Sequence, residues 1–253
     1  MSIIEKLNAI EINPTELCNL TCSFCPRAYD YPNQNLHMTP ETAKIIRSHV
    51  DELGFTGRVA IVGKGEPTLA KHFEEITNIF SENRTYTLLL TSNGKWLFDK
   101  YPHIFEKYDY VRYDVYDTAY DPNGNSKQRI NALRHRKRLE KKFPNIYIQF
   151  KPDYGWDHER TYCLDTRAGS IGEKVEPSPN PCTLPQRRLL IDWNGDYNLC
   201  CHDWKHKLVF GNVREETIVE YINHNQTLIH YRETLMKPNS RRCLTPCSEC
   251  PAG

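Results

Sequence analysis

The stretch AIEINPTELCNLTCSFC, residues 9–25, decides how the rest of the chain is interpreted. It opens with an alternating apolar run, residues 9–13, which predicts a short β-strand. Three cysteines follow on one loop, Cys18, Cys22 and Cys25. A [4Fe–4S] cube normally takes four cysteine thiolates, so three leave one iron open to a small molecule. The spacing favours a cluster, and the alternative is zinc with a distant fourth ligand, for which His37 is the nearest candidate.

Strands and helices alternate beyond this stretch. We predict strands over residues 58–62, 85–91, 110–115 and 146–150, with a less regular sixth near residues 161–165. We predict helices over residues 40–53, with Thr39 as N-cap, and over residues 71–81 and 126–142. This alternation indicates right-handed crossovers and a parallel sheet, and six units are too few for a closed eight-fold barrel. The expected fold class is therefore α/β, a partial (β/α)6 TIM-like barrel.

The last third of the chain has a different pattern. Residues 176–181, EPSPNP, indicate a proline-rich linker, and an Asn-Gly-Asp turn at residues 194–196 is typical of a β-hairpin. We therefore predict a barrel over residues 1–172 and a small C-terminal α+β domain, a β-hairpin plus helices, over residues 173–253. Four cysteines there can supply the thiolates of a zinc site or of a second iron–sulfur cluster: Cys182, Cys200, Cys247 and Cys250.

Two further cysteines of this region have no assigned role. Cys243 forms the same spacing with Cys247 and Cys250 as the first cysteine group, which makes it an alternative ligand to Cys247. Cys201 follows Cys200 directly and is expected on the opposite face of its strand. A buried structural thiol is the default expectation for both.

Two polar loops end the second and third predicted strands. In GKGEP, residues 63–67, glycines let the backbone approach a ligand and the Glu66 carboxylate can pair with an ammonium group. In TSNG, residues 91–94, small polar side chains end the third strand. Because the carboxyl ends of parallel strands meet at one edge, these loops and the cysteine loop predict one active site.

The combination resembles the radical S-adenosylmethionine superfamily, whose cysteine loop carries an aromatic residue before the third cysteine, as Phe24 does here. The resemblance implies that S-adenosyl-L-methionine (SAM) binds the open iron of a [4Fe–4S] cluster. One electron then cleaves SAM to a 5′-deoxyadenosyl radical, which abstracts a substrate hydrogen. For Asp114, an outward or capping position is an equal alternative to SAM binding. The resemblance implies SAM-binding roles for Phe24, Gly63, Gly65, Glu66, Pro67, Ser92, Asn93 and Asp114.

The C-terminal region resembles the SPASM/Twitch extension of that superfamily. This resemblance implies a second, auxiliary [4Fe–4S] cluster on Cys182, Cys200, Cys247 and Cys250. Residues 164–169, LDTRAG, are similar to an N-R-[AG]-G element of such enzymes and of the aminocyclitol dehydrogenases among them. It implies that Arg167 contacts substrate, the alternative being a surface arginine.

Two other residues are candidates for the catalytic machinery. Lys64 would face the same cavity and could bind an anionic substrate group. Cys163 could donate a hydrogen atom, although a lone cysteine on a strand is more often part of the core.

We therefore expect an oxidoreductase that dehydrogenates a sugar, polyol or aminocyclitol, with an external electron donor such as flavodoxin or ferredoxin. The alternatives are radical epimerisation or peptide maturation, and a non-catalytic zinc or electron-transfer protein. The net charge of +1 argues against a nucleic-acid partner, and the basic segment 126–142 is expected to be a solvated helix face. No apolar run has the length of a membrane span and the N-terminus does not resemble a signal peptide, which predicts a soluble cytoplasmic protein.

Overall fold

The structure, a computed structural model, describes residues 6–22, 25–94, 96–116, 127–151, 167–171 and 176–251. Its centre is an eight-stranded sheet in the order β5-β4-β3-β2-β1-β6-β7-β8. Strands β1 to β5 pair in parallel in chain order. The strands are β1 Ala9–Ile12, β2 Arg58–Ile61, β3 Thr87–Ser92, β4 Tyr110–Tyr116, β5 Ile146–Lys151, β6 Arg188–Ile191, β7 Asp196–Asn198 and β8 Val209–Asn212.

The helices begin where the sequence supplies capping residues. Thr39 accepts a hydrogen bond from the backbone N–H of Thr42 at 3.2 Å and Pro40 follows at the first helical position. Thr217 and Glu220 form a reciprocal capping box. Among the described residues, no helix is both long enough and apolar enough for a membrane crossing. The helices are α1 Pro40–Glu52, α2 Phe73–Ser81, α3 Leu97–Lys100, α4 Lys127–Lys142, α5 Leu184–Arg187, α6 Ile218–His224 and α7 Gln226–Leu235.

The partial-barrel prediction is confirmed, with one change in where the sheet ends. The first five predicted strands are present, whereas the sixth, residues 161–165, lies outside the described residues. The sheet continues at its other edge, because β6 pairs in parallel with β1 and aligns Ile12 with Ile191. The predicted hairpin, β6 and β7, therefore extends the barrel sheet. The division into two domains at residue 172 stays a prediction.

Side-chain alternation gives the sheet one apolar and one polar face. Ile10 and Ile12 of β1 are fully buried, as are Leu88 and Leu90 of β3, and all four belong to the main hydrophobic core. Successive strand residues point to opposite faces, so Glu11 lies on the other side, where it lines a cavity. The basic helix α4 lies on the side of the sheet away from that cavity, where Leu139 packs against the cluster around Tyr113. Its exposed side chains are Arg134, Arg136, Lys137, Arg138, Lys141 and Lys142.

Candidate active site

A cavity of about 300 Å³ lies at the carboxyl ends of the parallel strands. It brings together the cysteine loop, the loop after β2 and the end of β3, as expected for a single site. Phe24 and Cys163 lie outside the described residues. The other predicted residues that line the cavity are Cys18, Cys22, Cys25, Gly63, Lys64, Gly65, Glu66, Pro67, Ser92, Asn93, Asp114 and Arg167.

The three thiols of the cysteine loop have the chemistry of an iron–sulfur site. Burial and the neighbouring Cys25 and Cys18 raise the pKa of Cys22 to about 12, and burial also raises the pKa of the other two thiols. Because burial disfavours the thiolate form, a bound cationic group is needed for these thiols to ionise together. The residues present therefore fit a cluster.

The spacing of these sulfurs argues against a single zinc ion. Zinc holds thiolates at about 2.3 Å, which places tetrahedral sulfur ligands about 3.8 Å apart. Among the described residues, the one group of three ligand atoms within 4.8 Å of one another is Glu16, Asp192 and His206, so at least one pair of these three sulfurs lies farther apart than that. The ring nitrogens of His37, the candidate fourth zinc ligand, contact Thr15 at 2.8 Å and Asn35 at 2.7 Å.

The two glycines of the loop after β2 are required by packing inside the protein. A Cβ on Gly63 would lie 2.0 Å from the Asn13 Oδ1, and a Cβ on Gly65 would lie 2.2 Å from the carbonyl oxygen of Thr15. The sequence suggested that these glycines allow close approach to a ligand. The structure adds that they allow the loop to pack against the segment between β1 and the first cysteine.

Glu66 holds the loop after β2 to the end of β3. Its carboxylate accepts hydrogen bonds from the Ser92 hydroxyl at 2.8 Å and from the backbone N–H of Asn93 at 2.8 Å. The hydroxyl and backbone N–H of Thr68 donate two more, at 2.7 and 3.1 Å. Burial raises the pKa of Glu66 and these hydrogen bonds offset part of the rise. Three of these donors bind Oε1 and one binds Oε2, so Oε2 keeps a lone-pair site for a ligand ammonium.

A second, smaller cavity is lined by the four cysteines predicted as auxiliary ligands, Cys182, Cys200, Cys247 and Cys250. Burial, with Cys250 and Cys182 nearby, raises the pKa of Cys247 to about 12. Burial also raises the pKa of Cys200. This thiol set fits an iron–sulfur cluster for the same reason as the first. Cys243, the alternative ligand, is exposed to solvent.

The two cavities are separated by single peptide units at two places. Arg167 and Cys201 line the large cavity, whereas their chain neighbours Ala168 and Cys200 line the small one. The first of these turns has left-handed backbone angles, with φ of 48° at Arg167 and 50° at Ala168. Such conformations are costly for residues other than glycine and are found mostly where the surrounding structure imposes them.

Polar strand residues that the sequence analysis missed form much of the cavity wall. The Arg188 guanidinium lies 2.9 Å from the Glu11 carboxylate, and Arg112 Nε lies 3.2 Å from Asp114 Oδ1. Charged residues at alternate positions of otherwise apolar strands were the available signal. The missed lining residues are Glu11, Arg112, Arg188, Asp192, Cys201 and Trp204.

Comparison with known proteins places the chain in a family. The model of the radical SAM superfamily matches residues 12–143, more than half of the chain. The SPASM model, an iron–sulfur cluster-binding domain, matches residues 182–251. The chain is 24% identical to the S-adenosyl-L-methionine-dependent 2-deoxy-scyllo-inosamine dehydrogenase of Niallia circulans. That alignment covers 98% of this chain and 94% of the dehydrogenase. It is 37% identical to a GTP 3′,8-cyclase of Actinobacillus pleuropneumoniae, over 34% of this chain and 25% of the cyclase.

Solved structures share the fold. The crystal structure of BtrN in complex with AdoMet and 2-DOIA superposes with a TM-score of 0.80 and 20% identity, covering 97% of this chain and 93% of BtrN. Native anSMEcpe with bound AdoMet gives a TM-score of 0.58 at 15% identity, covering 97% of this chain and 89% of that one. The chain therefore belongs to the radical SAM superfamily, as an oxidoreductase whose cofactors are SAM, a [4Fe–4S] cluster and an auxiliary iron–sulfur cluster.

Proposed function

We propose that the protein oxidises a secondary alcohol of a small sugar, polyol or aminocyclitol to a ketone in the large cavity. The observation that carries this proposal is the contact between the two cavities at residues 167–168 and 200–201. When bound, SAM and its cluster supply the radical that removes hydrogen from the carbinol carbon, and the auxiliary cluster accepts the second electron. An alcohol oxidation needs both sites near one substrate.

We assign the cofactor-holding roles to the residues that the structure brings together. Cys18, Cys22 and Cys25 hold the first cluster, and the four thiols of the small cavity hold the second. The loop after β2 and the end of β3, tied together by Glu66, form the SAM-binding edge.

The rest of the cavity wall positions the substrate in this proposal. The Glu11–Arg188 and Arg112–Asp114 pairs offer carboxylate acceptors and guanidinium donors in one wall, which suits hydroxyl and amino groups. Arg167 positions the substrate as a hydrogen-bond donor, because a guanidinium stays protonated and is a poor base.

Two further parts of the proposal concern the setting of the reaction. A flavodoxin or ferredoxin supplies the electron that starts each turnover. The cytoplasm is the proposed compartment, because all nine described cysteines are free thiols and thiols persist in a reducing environment.

The test uses anaerobically reconstituted protein with SAM, a reductant and 2-deoxy-scyllo-inosamine, the compound in the name of the Niallia relative. When the substrate carries deuterium on the carbon that is oxidised, we expect that deuterium to appear in 5′-deoxyadenosine. One ketone should form per SAM consumed. The Cys25→Ala variant should lose SAM cleavage, whereas Cys250→Ala should retain cleavage and lose the ketone. Solvent deuterium in recovered substrate, without ketone, would instead indicate epimerisation, with Cys201 as the thiol at the cavity that is not assigned to a cluster among the described residues.

A further inference from the structure

The Lys64 ammonium is buried between two partners from the C-terminal region. Its side chain is 4% exposed, and Nζ lies 3.4 Å from Asp192 Oδ2 and 2.5 Å from His206 Nε2. A protonated lysine can only donate, so His206 must accept at Nε2 and carry its own proton on Nδ1. His206 Nδ1 lies 3.0 Å from Asp192 Oδ2, where that proton has an acceptor. The three side chains therefore form one chain of polar contacts, in which Lys64 hydrogen-bonds to both partners and His206 Nδ1 lies in close contact with the Asp192 carboxylate.

Asp192 is fixed in the position that orients His206. It is fully buried and accepts hydrogen bonds from Asn13 Nδ2 at 2.8 Å and Asn198 Nδ2 at 2.7 Å. Lys64 and Asp192 both line the large cavity, whereas the His206 side chain is 25% exposed. This chain of polar contacts thus connects the cavity wall with solvent.

We propose that Lys64, His206 and Asp192 form a relay that removes the proton of the substrate hydroxyl. The proposal rests on the alcohol oxidation proposed above. Once the carbinol carbon has lost a hydrogen atom, forming the C=O bond breaks the O–H bond and releases one proton and one electron. The electron passes to the auxiliary cluster, and the proton needs a separate acceptor. Arginines of the cavity wall cannot take it, because they remain protonated.

The relay moves one proton per turnover and returns to its starting state. Lys64 gives a proton to His206 Nε2 and takes the hydroxyl proton of the substrate. The Asp192 carboxylate stabilises the resulting imidazolium, as a carboxylate does in hydrolase triads. His206, whose side chain is 25% exposed, then releases the added Nε2 proton to water, and the proton that stays on Nδ1 restores the starting tautomer.

The surroundings of His206 leave Asp192 as its carboxylate partner. Tyr31 lies 3.5 Å from Nε2 and donates its hydroxyl to Glu16 at 2.9 Å. Glu16 also accepts from Arg27 at 3.0 Å, so its charge is balanced elsewhere. The charged and titratable groups facing His206 are Glu16, Tyr31, Lys64, Asp192 and Asp203.

The first test determines which ring nitrogen of His206 carries the proton, with no substrate present. Nitrogen-15 NMR of the reconstituted wild-type protein at neutral pH is expected to give His206 as the Nδ1–H tautomer, with the signal assigned by its loss in His206→Gln. Lys64→Met removes the donor to Nε2 and should shift that nitrogen's resonance. An Nε2–H tautomer in the wild type overturns the relay.

The second test separates proton removal from radical formation. With 2-deoxy-scyllo-inosamine as probe, His206→Gln should lower ketone formed per 5′-deoxyadenosine by at least about tenfold, because general acid–base groups contribute about 100-fold or more. Added imidazole should restore the ratio, which a purely structural role would not permit. His103→Gln is the matched control, since it removes an exposed histidine paired with Glu74 at 2.8 Å.

The outcomes distinguish the relay from the proposed function. A wild-type ketone ratio in His206→Gln, or a lowered ratio that imidazole leaves unchanged, contradicts the relay. If the wild type forms no ketone but His206 is the Nδ1–H tautomer, the result counts against the alcohol oxidation of this probe. The contacts among Lys64, His206 and Asp192 are then still supported.

Discussion

Replacing Arg27 with methionine tests whether the buried Arg27–Glu16 ion pair stabilises the cysteine loop. The Arg27 side chain is 2% exposed and donates to the carbonyl oxygens of Lys64 at 3.1 Å and Pro32 at 2.7 Å. Its guanidinium pairs with Glu16 at 3.0 Å and lies 6.0 Å from the centre of the Trp204 ring. Arg27→Met keeps an unbranched side chain and removes the charge and the donors.

The magnitude follows from what the substitution leaves behind. Removing one partner of a buried ion pair costs about 3–5 kcal/mol, because the other charge stays buried without compensation. Glu16 keeps its hydrogen bonds from Asn13 and Tyr31, so we expect the lower end, about 3 kcal/mol. The double variant Arg27→Met/Glu16→Gln removes the uncompensated charge and should recover roughly half of that loss.

Urea unfolding of the reconstituted protein, followed by tryptophan fluorescence and iron release, measures this loss. The matched control is Arg136→Met, which removes an exposed pair with Glu140 whose side chains are 49% and 40% exposed. Its expected cost is about 0.3–0.5 kcal/mol. An Arg27→Met midpoint no lower than that of Arg136→Met would refute the reasoning, as would a double variant less stable than the single one.

Two further predictions concern the cofactor sites. Gly65→Ala places a Cβ 2.2 Å from the Thr15 carbonyl oxygen. Overpacking costs about 1–3 kcal/mol, and if the shifted loop loses that much in SAM binding, the affinity falls about 5- to 150-fold. Equilibrium dialysis measures this affinity. The control is Gly54→Ala, at φ of +60° with open space around it, which should change stability and leave SAM affinity unchanged. Equal SAM affinities in the Gly65→Ala and Gly54→Ala variants would contradict the steric argument. Cys247→Ser should lower iron from about eight to about four atoms per chain, whereas Cys243→Ser should retain about eight. Iron loss in Cys243→Ser would identify the exposed thiol as a ligand instead.

The elements that could be predicted from sequence are those with local causes. Short β-type runs predicted β1 to β5, and a capping threonine before Pro40 predicted the start of α1. The pairing of β6 with β1 was not predicted, because it joins strands about 180 residues apart and neither strand's composition indicates its neighbour. The proline-rich segment at residues 176–181 suggested a domain boundary, which stays a prediction, and β6 beyond it continues the sheet of β1.

The site divides in the same way. Cysteine spacing indicated which thiols come together, and the structure groups them around two cavities. Lys64 was expected to bind an anionic substrate group, yet its ammonium lies against Asp192 and His206, which only the fold brings near. Cys201 was expected to be a buried structural thiol, and the structure places it at the large cavity. It was also expected on a strand, but β7 ends at Asn198, and the two thiols face different cavities from the turn that follows.

The register between β1 and β6 is what unites the two sets of cysteines. Because Ile12 aligns with Ile191, the next residues, Asn13 and Asp192, leave the sheet side by side and hydrogen-bond at 2.8 Å. Asp192 in turn binds Lys64 in the loop after β2, which Glu66 ties to the end of β3. A shift of one residue in this register would turn Asp192 to the opposite face of the sheet and break the connection. Substitutions at Asp192 are therefore expected to act on the SAM-binding edge as well as on the C-terminal region, although the two lie in different family-model matches.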